Sequence, residues 1–453
     1  FDLARKSFAK HGDSFFVDEK RGVLIVSEAL WEKGHVGVQK KEQFLYEQRQ
    51  EVLRALVEQL QAPDSFLLTQ DLPNEAVLLT GKTTVTLSNI EISENLFIVL
   101  LRKTKITVGE SFSITEHVDN EDCIGEHGMA RNSPFCLRRN DRHKTVSLLA
   151  LENIKGMPPN SIGCVLREIN LKDTDLINIL PKLRIHEDSE VEELILDASE
   201  KKYIAGILKQ KQKFCVGRVK SMRLREYAVG ILPEIEVHDD YEVEQLDLSA
   251  GREVHVAGIL AKDQPFYIGG VKKMLLWECA VRVATKMRVR DDCEIGELIL
   301  AAIREEDIAR ILAKDKPFCV GRVKSMDLKE YAVHVIIKMR IKEGSIMESF
   351  NLEKYSEYYS RILEEKDGSI ELGRIRRSGF HVPREIRRKL RYTLVDEEGK
   401  EVLGETIGEV ATANRGGVEE ARVHWETIGE FFDSTAVLLG LFLVIWLSSY
   451  LRV

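Results

Sequence analysis

The chain lacks the local signatures that mark most enzymes. No H-E-x-x-H or G-x-S-x-G run occurs, so neither a two-histidine zinc helix nor an exposed serine elbow has its required spacing. Gly81-Lys82-Thr83 ends like a phosphate-binding loop, but no glycine lies between Leu72 and Gly81. Such a loop needs an earlier glycine so that backbone N–H groups can cradle phosphate. Cysteine is sparse and odd in number, at seven, with no C-x2-C pair. That pattern reads as reduced thiols rather than a disulfide framework. No N-x-[ST] glycan acceptor occurs. Together these place the body of the protein in the cytoplasm as an expectation. Broad positive charge is missing too: the formal net charge is −8, so nucleic acid is not an expected partner. No cofactor is expected. No signal peptide is visible at Phe1.

What the chain does have is a long period. Phe214-Cys215-Val216-Gly217-Arg218-Val219-Lys220-Ser221-Met222 returns as Phe318-Cys319-Val320-Gly321-Arg322-Val323-Lys324-Ser325-Met326. A looser copy, Phe266-Tyr267-Ile268-Gly269-Gly270-Val271-Lys272-Lys273-Met274, lies midway, so Phe214, Phe266 and Phe318 are 52 residues apart. A fixed period is the mark of a repeat architecture. Each unit splits again. The pattern apolar-x-x-apolar-x-apolar occurs at Val191/Leu194/Leu196, Val219/Met222/Leu224, Val243/Leu246/Leu248, Val271/Met274/Leu276, Ile295/Leu298/Leu300 and Val323/Met326/Leu328. Its middle anchors step by 28, 24, 28, 24 and 28 residues. The register extends outward to Ile169/Leu171, Phe350/Leu352 and Ile375. Alternate inward side chains predict a short strand at each site. Apolar residues at helical spacing follow, at Ala228/Ile231/Leu232, Val256/Ile259/Leu260, Val281/Met287 and Ile308/Ile311/Leu312. One strand and one helix cannot bury their own apolar faces, so the units must stack.

The head pattern and the spacing resemble leucine-rich repeats. The run Ile177-Asn178-Ile179-Leu180-Pro181-Lys182-Leu183 before Val191-Glu192-Glu193-Leu194-Ile195-Leu196 is similar to the ribonuclease-inhibitor-like branch. Its echo is Gly230-Ile231-Leu232-Pro233-Glu234-Ile235 before Val243-Glu244-Gln245-Leu246-Asp247-Leu248. Within that branch the run most resembles the repeats of animal NACHT–leucine-rich-repeat immune sensors. The likeness covers roughly residues 165–390. It implies an α/β solenoid that recognises a protein partner on its concave face, with no catalysis. The sequence departs from the family where an Asn or Cys should follow each strand: Tyr227, Cys279 and Tyr331 stand there instead.

The expected organisation has five parts. Residues 1–73 form a mostly helical segment, with the apolar run 22–26 as a strand and residues 39–62 as a helix. Residues 74–164 hold irregular first repeats, with a strand over 85–89 and a helix over 96–101. The regular array covers 165–391, a linker 392–433, and an apolar helix 434–453. In the irregular part, Cys123, His127, Cys136 and His143 are spaced C-x3-H-x8-C-x6-H. Four such ligands can hold zinc tetrahedrally. The alternative is a plain acidic insertion over 116–126. Residues 374–391 carry seven arginines and a lysine, which suits either a polar end-cap of the array or a patch for an acidic partner or anionic membrane face. Glu405-Thr406-Ile407-Gly408-Glu409 recurs at residues 426–430, for which we have no physical account. Residues 435–451 contain no charge and are near the shortest length that spans a bilayer, so a single membrane anchor is expected there.

The outward positions of the predicted strands alternate in sign. Glu192, Glu193 and Asp197 are followed by Lys220, Arg223 and Arg225. Glu244 and Asp247 precede Lys272 and Lys273, and Glu297 precedes Lys324 and Lys329. Adjacent rows in a parallel sheet can pair and neutralise each other, or present a striped docking face. Leu275, Trp277 and Ile299 are apolar where polar residues are expected, and buried tryptophans are common interface anchors. The partner-binding residues are therefore expected to be Lys220, Arg223, Arg225, Lys272, Lys273, Leu275, Trp277 and Ile299. The function expected is non-enzymatic recognition, in an innate-immune or regulatory role if the resemblance carries that far. One alternative is a membrane-anchored receptor. The other is the repeat region of a nucleotide-driven switch whose NTPase domain lies upstream.

Overall fold

The computed structural model describes residues 7–33, 57–116, 122–127, 134–142, 147–186, 188–210, 212–236, 241–290, 293–342, 344, 346–353 and 355–402. Ten parallel strands form its main sheet, in chain order: β1 Phe135–Asn140, β2 Leu166–Lys172, β3 Glu190–Ala198, β4 Arg218–Glu226 and β5 Glu242–Ala250, then β6 Gly270–Glu278, β7 Glu294–Ala302, β8 Arg322–Glu330, β9 Ser349–Leu352 and β10 Phe380–His381. Each strand is hydrogen-bonded to the one before and the one after. Consecutive parallel strands in a mixed α/β chain are compatible with a solenoid.

The apolar anchors meet across this sheet. Leu194 faces Met222, Met222 faces Leu246, and Leu246 faces Met274. Leu298 and Met326 continue the line to Phe350. All are at most 2% exposed. Ile169 joins the line through β2. Ile375 does not: it lies in a separate three-stranded sheet of 346–347, 370–376 and 390–395, and the tenth ladder strand is set by Phe380. The reason is packing, since Phe380 stacks on Phe350 at 6.4 Å and lies 4.4 Å from Tyr392.

The two step lengths correspond to two kinds of helical return. The 28-residue steps return through α-helical turns, Ala205–Leu208, Glu253–Leu260 and Glu306–Leu312. The 24-residue steps return through 3-10 helices, Tyr227–Glu234 and Cys279–Thr285, and Tyr331–Ile337 repeats the form after β8. A 3-10 helix rises about 2.0 Å per residue against 1.5 Å for an α-helix, but Tyr227–Glu234 and Glu253–Leu260 are both eight residues long, so the extra residues of the longer step lie in the segments that connect helix and strand. Such long 3-10 runs are held by burial on nearly every side: Ala228, Val229, Ile231, Leu232 and Pro233 are all buried. The helical spacing expected at Ala228/Ile231/Leu232 is thus present, but wound more tightly than an α-helix. Two-residue strands close each 24-residue step on the helical side, pairing Phe214–Cys215 with Ile235–Glu236 and Phe266–Tyr267 with Met287–Arg288. A third pair joins Phe318–Cys319 to Met339–Arg340. Gly217, Gly269 and Gly321 precede β4, β6 and β8 at φ +76°, +71° and +88°. They turn the chain into each of these strands, where a side chain is disfavoured.

Lysines tie successive returns together. Lys182 Nζ donates to the Met157 carbonyl at 2.7 Å, Lys389 Nζ donates to the Glu365 carbonyl at 2.6 Å, and Lys286 Nζ donates to the Lys262 carbonyl. Each acceptor lies at or just beyond the C-terminal end of a helix, where free carbonyls and the helix dipole favour a cation.

Ahead of the array, residues 7–11, 14–19, 22–27 and 77–80 make a four-stranded antiparallel sheet. This corrects the helical reading of residues 1–73 over its described strands, although 22–26 is a strand as expected. The apolar runs there are short and buried at consecutive positions, Phe15 to Val17 and Val23 to Val26, which suits a strand covered on both faces and not a one-sided helix. The expected strand and helix at 85–89 and 96–101 appear as Thr84–Leu87 and Glu94–Lys103. Ser93 caps the helix by accepting from Leu96 N. A buried charge cluster joins this part to the array. Arg102 binds both Asp141 and Asp175, the second at 3.2 Å, and the Thr174 hydroxyl donates to Asp141 at 2.7 Å.

Among the described residues no helix is long and apolar enough to cross a membrane. The apolar segment 435–451, the expected C-terminal helix around it and the duplicated Glu-Thr-Ile-Gly-Glu runs lie outside the described residues, as does most of the helix expected over 39–62.

Candidate functional site

Side chains that point away from the helices form rows across the sheet. One row runs Asn170, Ile195, Arg223, Asp247, Leu275, Ile299, Asp327 and Asn351. The next row toward the strand ends runs Asp197, Arg225, Ser249, Trp277, Ala301 and Lys329. Leu275, Trp277, Ile299 and Ala301 therefore make a two-by-two apolar block on β6 and β7. Leu275 and Trp277 are half-buried, while Ile299 is 9% exposed and Ala301 3%. Leu275 and Trp277 are its more exposed members. Ile195 is a further buried apolar residue in the same row, at 6%. Ile195 and Ala301 were not among the expected residues, although an inward–outward count along β3 and β7 points to both.

The alternating charges pair across strands. Lys220 lies 3.1 Å from Glu190, and Lys273 lies 2.7 Å from Glu297. Arg223 bridges Glu193 at 3.6 Å and Asp247 at 3.4 Å. Lys272 reaches Glu244 at 4.0 Å and Lys324 reaches Glu294 at 3.8 Å. Arg225 stands in register between Asp197 and Ser249, with no carboxylate within 4 Å among the described residues. Each exposed pair contributes roughly 0–1 kcal/mol. The face is therefore largely charge-compensated around an uncharged centre. Burial, with Asp173 nearby, raises the Asp197 carboxyl above its ordinary range. Glu226 at the end of β4 is raised by burial, by Asp197 and by Glu278.

The four expected metal ligands find other environments. Cys123 is buried, and burial pushes its thiol up to about 12, which opposes the thiolate a metal needs. His127 Nδ1 lies 3.3 Å from the Ser113 hydroxyl, and Cys136 Sγ accepts from Arg167 at 3.2 Å. His143 lies outside the described residues. Among the described residues no three His, Cys, Asp or Glu side chains are grouped to hold a metal. The basic stretch 374–391 is engaged in its own corner of the fold. Arg376 faces Glu397 at 3.3 Å, Lys389 faces Asp367 at 2.9 Å, and Arg391 faces Glu371 at 2.7 Å. Gly81-Lys82-Thr83 is a turn in which Thr83 Oγ1 accepts from Thr80 N at 3.1 Å.

No protein-family model, no curated protein and no solved structure matches this chain.

Proposed function

We propose that the chain is a non-enzymatic recognition protein of leucine-rich-repeat type, and that it docks a protein partner on the open face of its ten-stranded sheet. The observation that carries this reading is the apolar block Leu275–Trp277–Ile299 amid charges that already pair with one another. A partner that covers the block removes apolar surface from water without having to break up a single-sign field. The paired rims at Lys220, Arg223, Lys272 and Lys273 fix register more than affinity, and Arg225 supplies a cation that acts on Asp197, its register neighbour. The likeness of the 177–196 and 230–248 runs to NACHT–leucine-rich-repeat sensors supports an innate-immune or regulatory setting. The unpaired cysteines support a reducing compartment. The test is affinity capture with the intact chain, comparing wild type with Trp277→Ala and Leu275→Glu. Proteins lost from both variants, at unchanged melting temperature and circular dichroism, support the reading. Identical capture profiles, or unfolding of Trp277→Ala, refute it.

A membrane-anchored form of the same receptor is a second reading, and the uncharged stretch 435–451 favours it. Retention in the pellet after carbonate extraction, lost on deletion of 435–451, is the expected outcome.

A further inference from the structure

The fourth residue of each long 3-10 return faces the α-helical return that follows it. That residue is Asn178 in Asp175–Lys182, Gly230 in Tyr227–Glu234, Arg282 in Cys279–Thr285 and His334 in Tyr331–Ile337. Two of these side chains are tied into the next return. Asn178 Nδ2 donates to the Tyr203 carbonyl at 2.8 Å, and its Oδ1 accepts from Gly206 N at 2.7 Å. Arg282 Nε donates to the Asp307 carbonyl at 2.7 Å, and one terminal nitrogen donates to the Glu306 carbonyl. The other terminal nitrogen lies 3.0 Å from Glu253 of the return before. Arg282 is thus a buried cation that joins the two α-helical returns on either side of it.

His334 is different. Its side chain is fully buried, yet neither ring nitrogen has a hydrogen-bond partner among the described residues. The surroundings of Arg282 are nonetheless repeated around it. Glu305 stands 52 residues after Glu253, and Tyr358 and Tyr359 stand 52 residues after Glu306 and Asp307. Glu305 is occupied elsewhere, by Arg361 of Ser360–Glu364 at 2.5 Å. Both side chains of that pair are about half exposed, so the pair is a weak one. A neutral-capable imidazole therefore sits where the preceding unit houses a permanent cation, within electrostatic reach of a lightly held carboxylate.

We propose that His334 is an acid-sensitive latch: when it takes a proton from solvent, Glu305 turns inward to the imidazolium, Arg361 is released, and the return 356–364 loosens at the end of the array. A buried cation without a partner is costly, which drives Glu305 toward the ring. The charged groups that face His334 are few. Glu305 precedes Glu306–Leu312, and Arg361 and Glu364 come from Ser360–Glu364. Tyr331 of its own helix lies 6.3 Å from the imidazole and stacks edge-on with Tyr358, on which Glu330 acts. The other charged groups of Glu306–Leu312 with ion pairs turn toward the preceding unit, Asp307 to Arg304 and Arg310 to Glu253. Burial opposes protonation of His334 most; Glu305 and Glu364 favour it, Arg361 opposes it, and the imidazolium is held below its ordinary value. The closed arrangement is therefore fully stable above about pH 6.5, the ordinary histidine value, and weakens as pH falls below it. Ser356–Tyr359 and Ser360–Glu364 are helices of four and five residues, too short to hold themselves once the tie to Glu305 is lost. The latch lies on the helical side and holds whether or not the open face docks a partner.

Hydrogen exchange read by mass spectrometry on the intact chain, at pH 7.5 and 5.5 with intrinsic rates divided out, tests the latch. Peptides covering 331–364 should exchange faster at pH 5.5, by up to about tenfold, the ratio of charged to neutral histidine one unit below pH 6.5. His334→Gln, uncharged at both pH values, should lose this response while the peptides around His255 keep theirs. His334→Arg, which copies Arg282, should lose it too; the glutamine variant decides the matter if the arginine variant does not fold. Glu305→Gln should leave 356–364 already fast at pH 7.5, because Arg361 has lost its carboxylate. The proposal is overturned if 331–364 responds to pH alike in wild type and His334→Gln, if the response is spread evenly over the whole array, or if Glu305→Gln leaves the exchange of 356–364 unchanged.

Discussion

His255 Nδ1 lies 2.5 Å from a carboxylate oxygen of Glu226, in a side chain that is 1% exposed. The same nitrogen faces the Arg252 amide at 3.3 Å. With Nδ1 accepting from that amide, a proton on the Glu226 carboxyl would complete the short contact. Burial, Asp197 and Glu278 all oppose ionisation of that carboxyl. Burial and the Arg252 cation push the imidazolium of His255 down to about 4. Between that value and the ordinary 6.5, the unfolded chain binds a proton that the folded chain refuses. Stability from this residue is therefore fully present above about pH 6.5 and is lost as pH falls toward 4, by roughly 3 kcal/mol at most. Burial lowers His334 as well, and neither of its ring nitrogens has a hydrogen-bond partner; the sign is the same. Urea midpoints at pH 7.5, 6 and 5 should fall less steeply in His255→Gln than in wild type. Glu226→Gln, which keeps a donor toward Nδ1, should stay within about 1 kcal/mol of wild type at pH 7. A larger loss would mean that the pair is ionised.

The Arg102 cluster responds in a more acid range. Burial raises the Asp141 carboxyl, but the hydrogen bonds from Arg102 and Thr174 and the nearby charges of Arg102 and Arg139 outweigh it and hold it at about 2. A depressed carboxyl contributes stability above its unfolded value, near 3.9, and that contribution disappears as pH falls through about 2. Arg102→Met leaves Asp141 and Asp175, with side chains 6% and 3% exposed, without their shared cation. The expected cost at pH 7 is about 3–5 kcal/mol, read from urea unfolding, with a shallower acid limb than wild type. An unchanged midpoint would show that the cluster is solvated.

Gly217 and Gly321 occupy the same place in the cassette but should not tolerate alanine equally. Both have positive φ, so alanine costs about 1–2 kcal/mol at either. At Gly217 an added Cβ would also sit 2.6 Å from the Ser189 carbonyl oxygen, whereas at Gly321 the nearest atom is 3.9 Å away. Gly217→Ala should therefore lower the unfolding midpoint clearly more than Gly321→Ala. Equal losses would mean that φ alone sets the requirement.

The ladder was legible because its signal is one-dimensional. A strand buried on one side writes its register as Val191/Leu194/Leu196 and its copies, and the 24/28 alternation survives in the pairing of Leu194, Met222, Leu246 and Met274. The kind of return was not legible. Ala228/Ile231/Leu232 satisfy a helical period, and only the burial of Val229 and Pro233 on the remaining sides shows the tighter winding. Ile375 kept the apolar pattern yet went to another sheet, because Phe380 fits beside Phe350. The open-face block was half readable: Leu275, Trp277 and Ile299 stood out by type, while Ala301 joins them only by register.

Glu226, Glu278 and Glu330 each end a basic strand and open a 3-10 helix at φ 55°, 55° and 52° with ψ −127°, −131° and −136°. That region is comfortable for glycine alone, and an L side chain there costs about 1–3 kcal/mol. At Glu226 the carboxyl contacts His255. At Glu330 one carboxyl oxygen is buried without a hydrogen-bond partner, so the side chain adds a second unfavourable feature to the strained backbone. Glycine relieves both, less the extra freedom it grants the unfolded chain, which offsets up to about 1 kcal/mol. Glu330→Gly should therefore raise the unfolding free energy read from urea titration by about 1 kcal/mol. Glu226→Gly should gain less or lose, because it removes the partner of His255. Destabilisation by Glu330→Gly would show that the carboxyl at that turn contributes more than the strain it imposes.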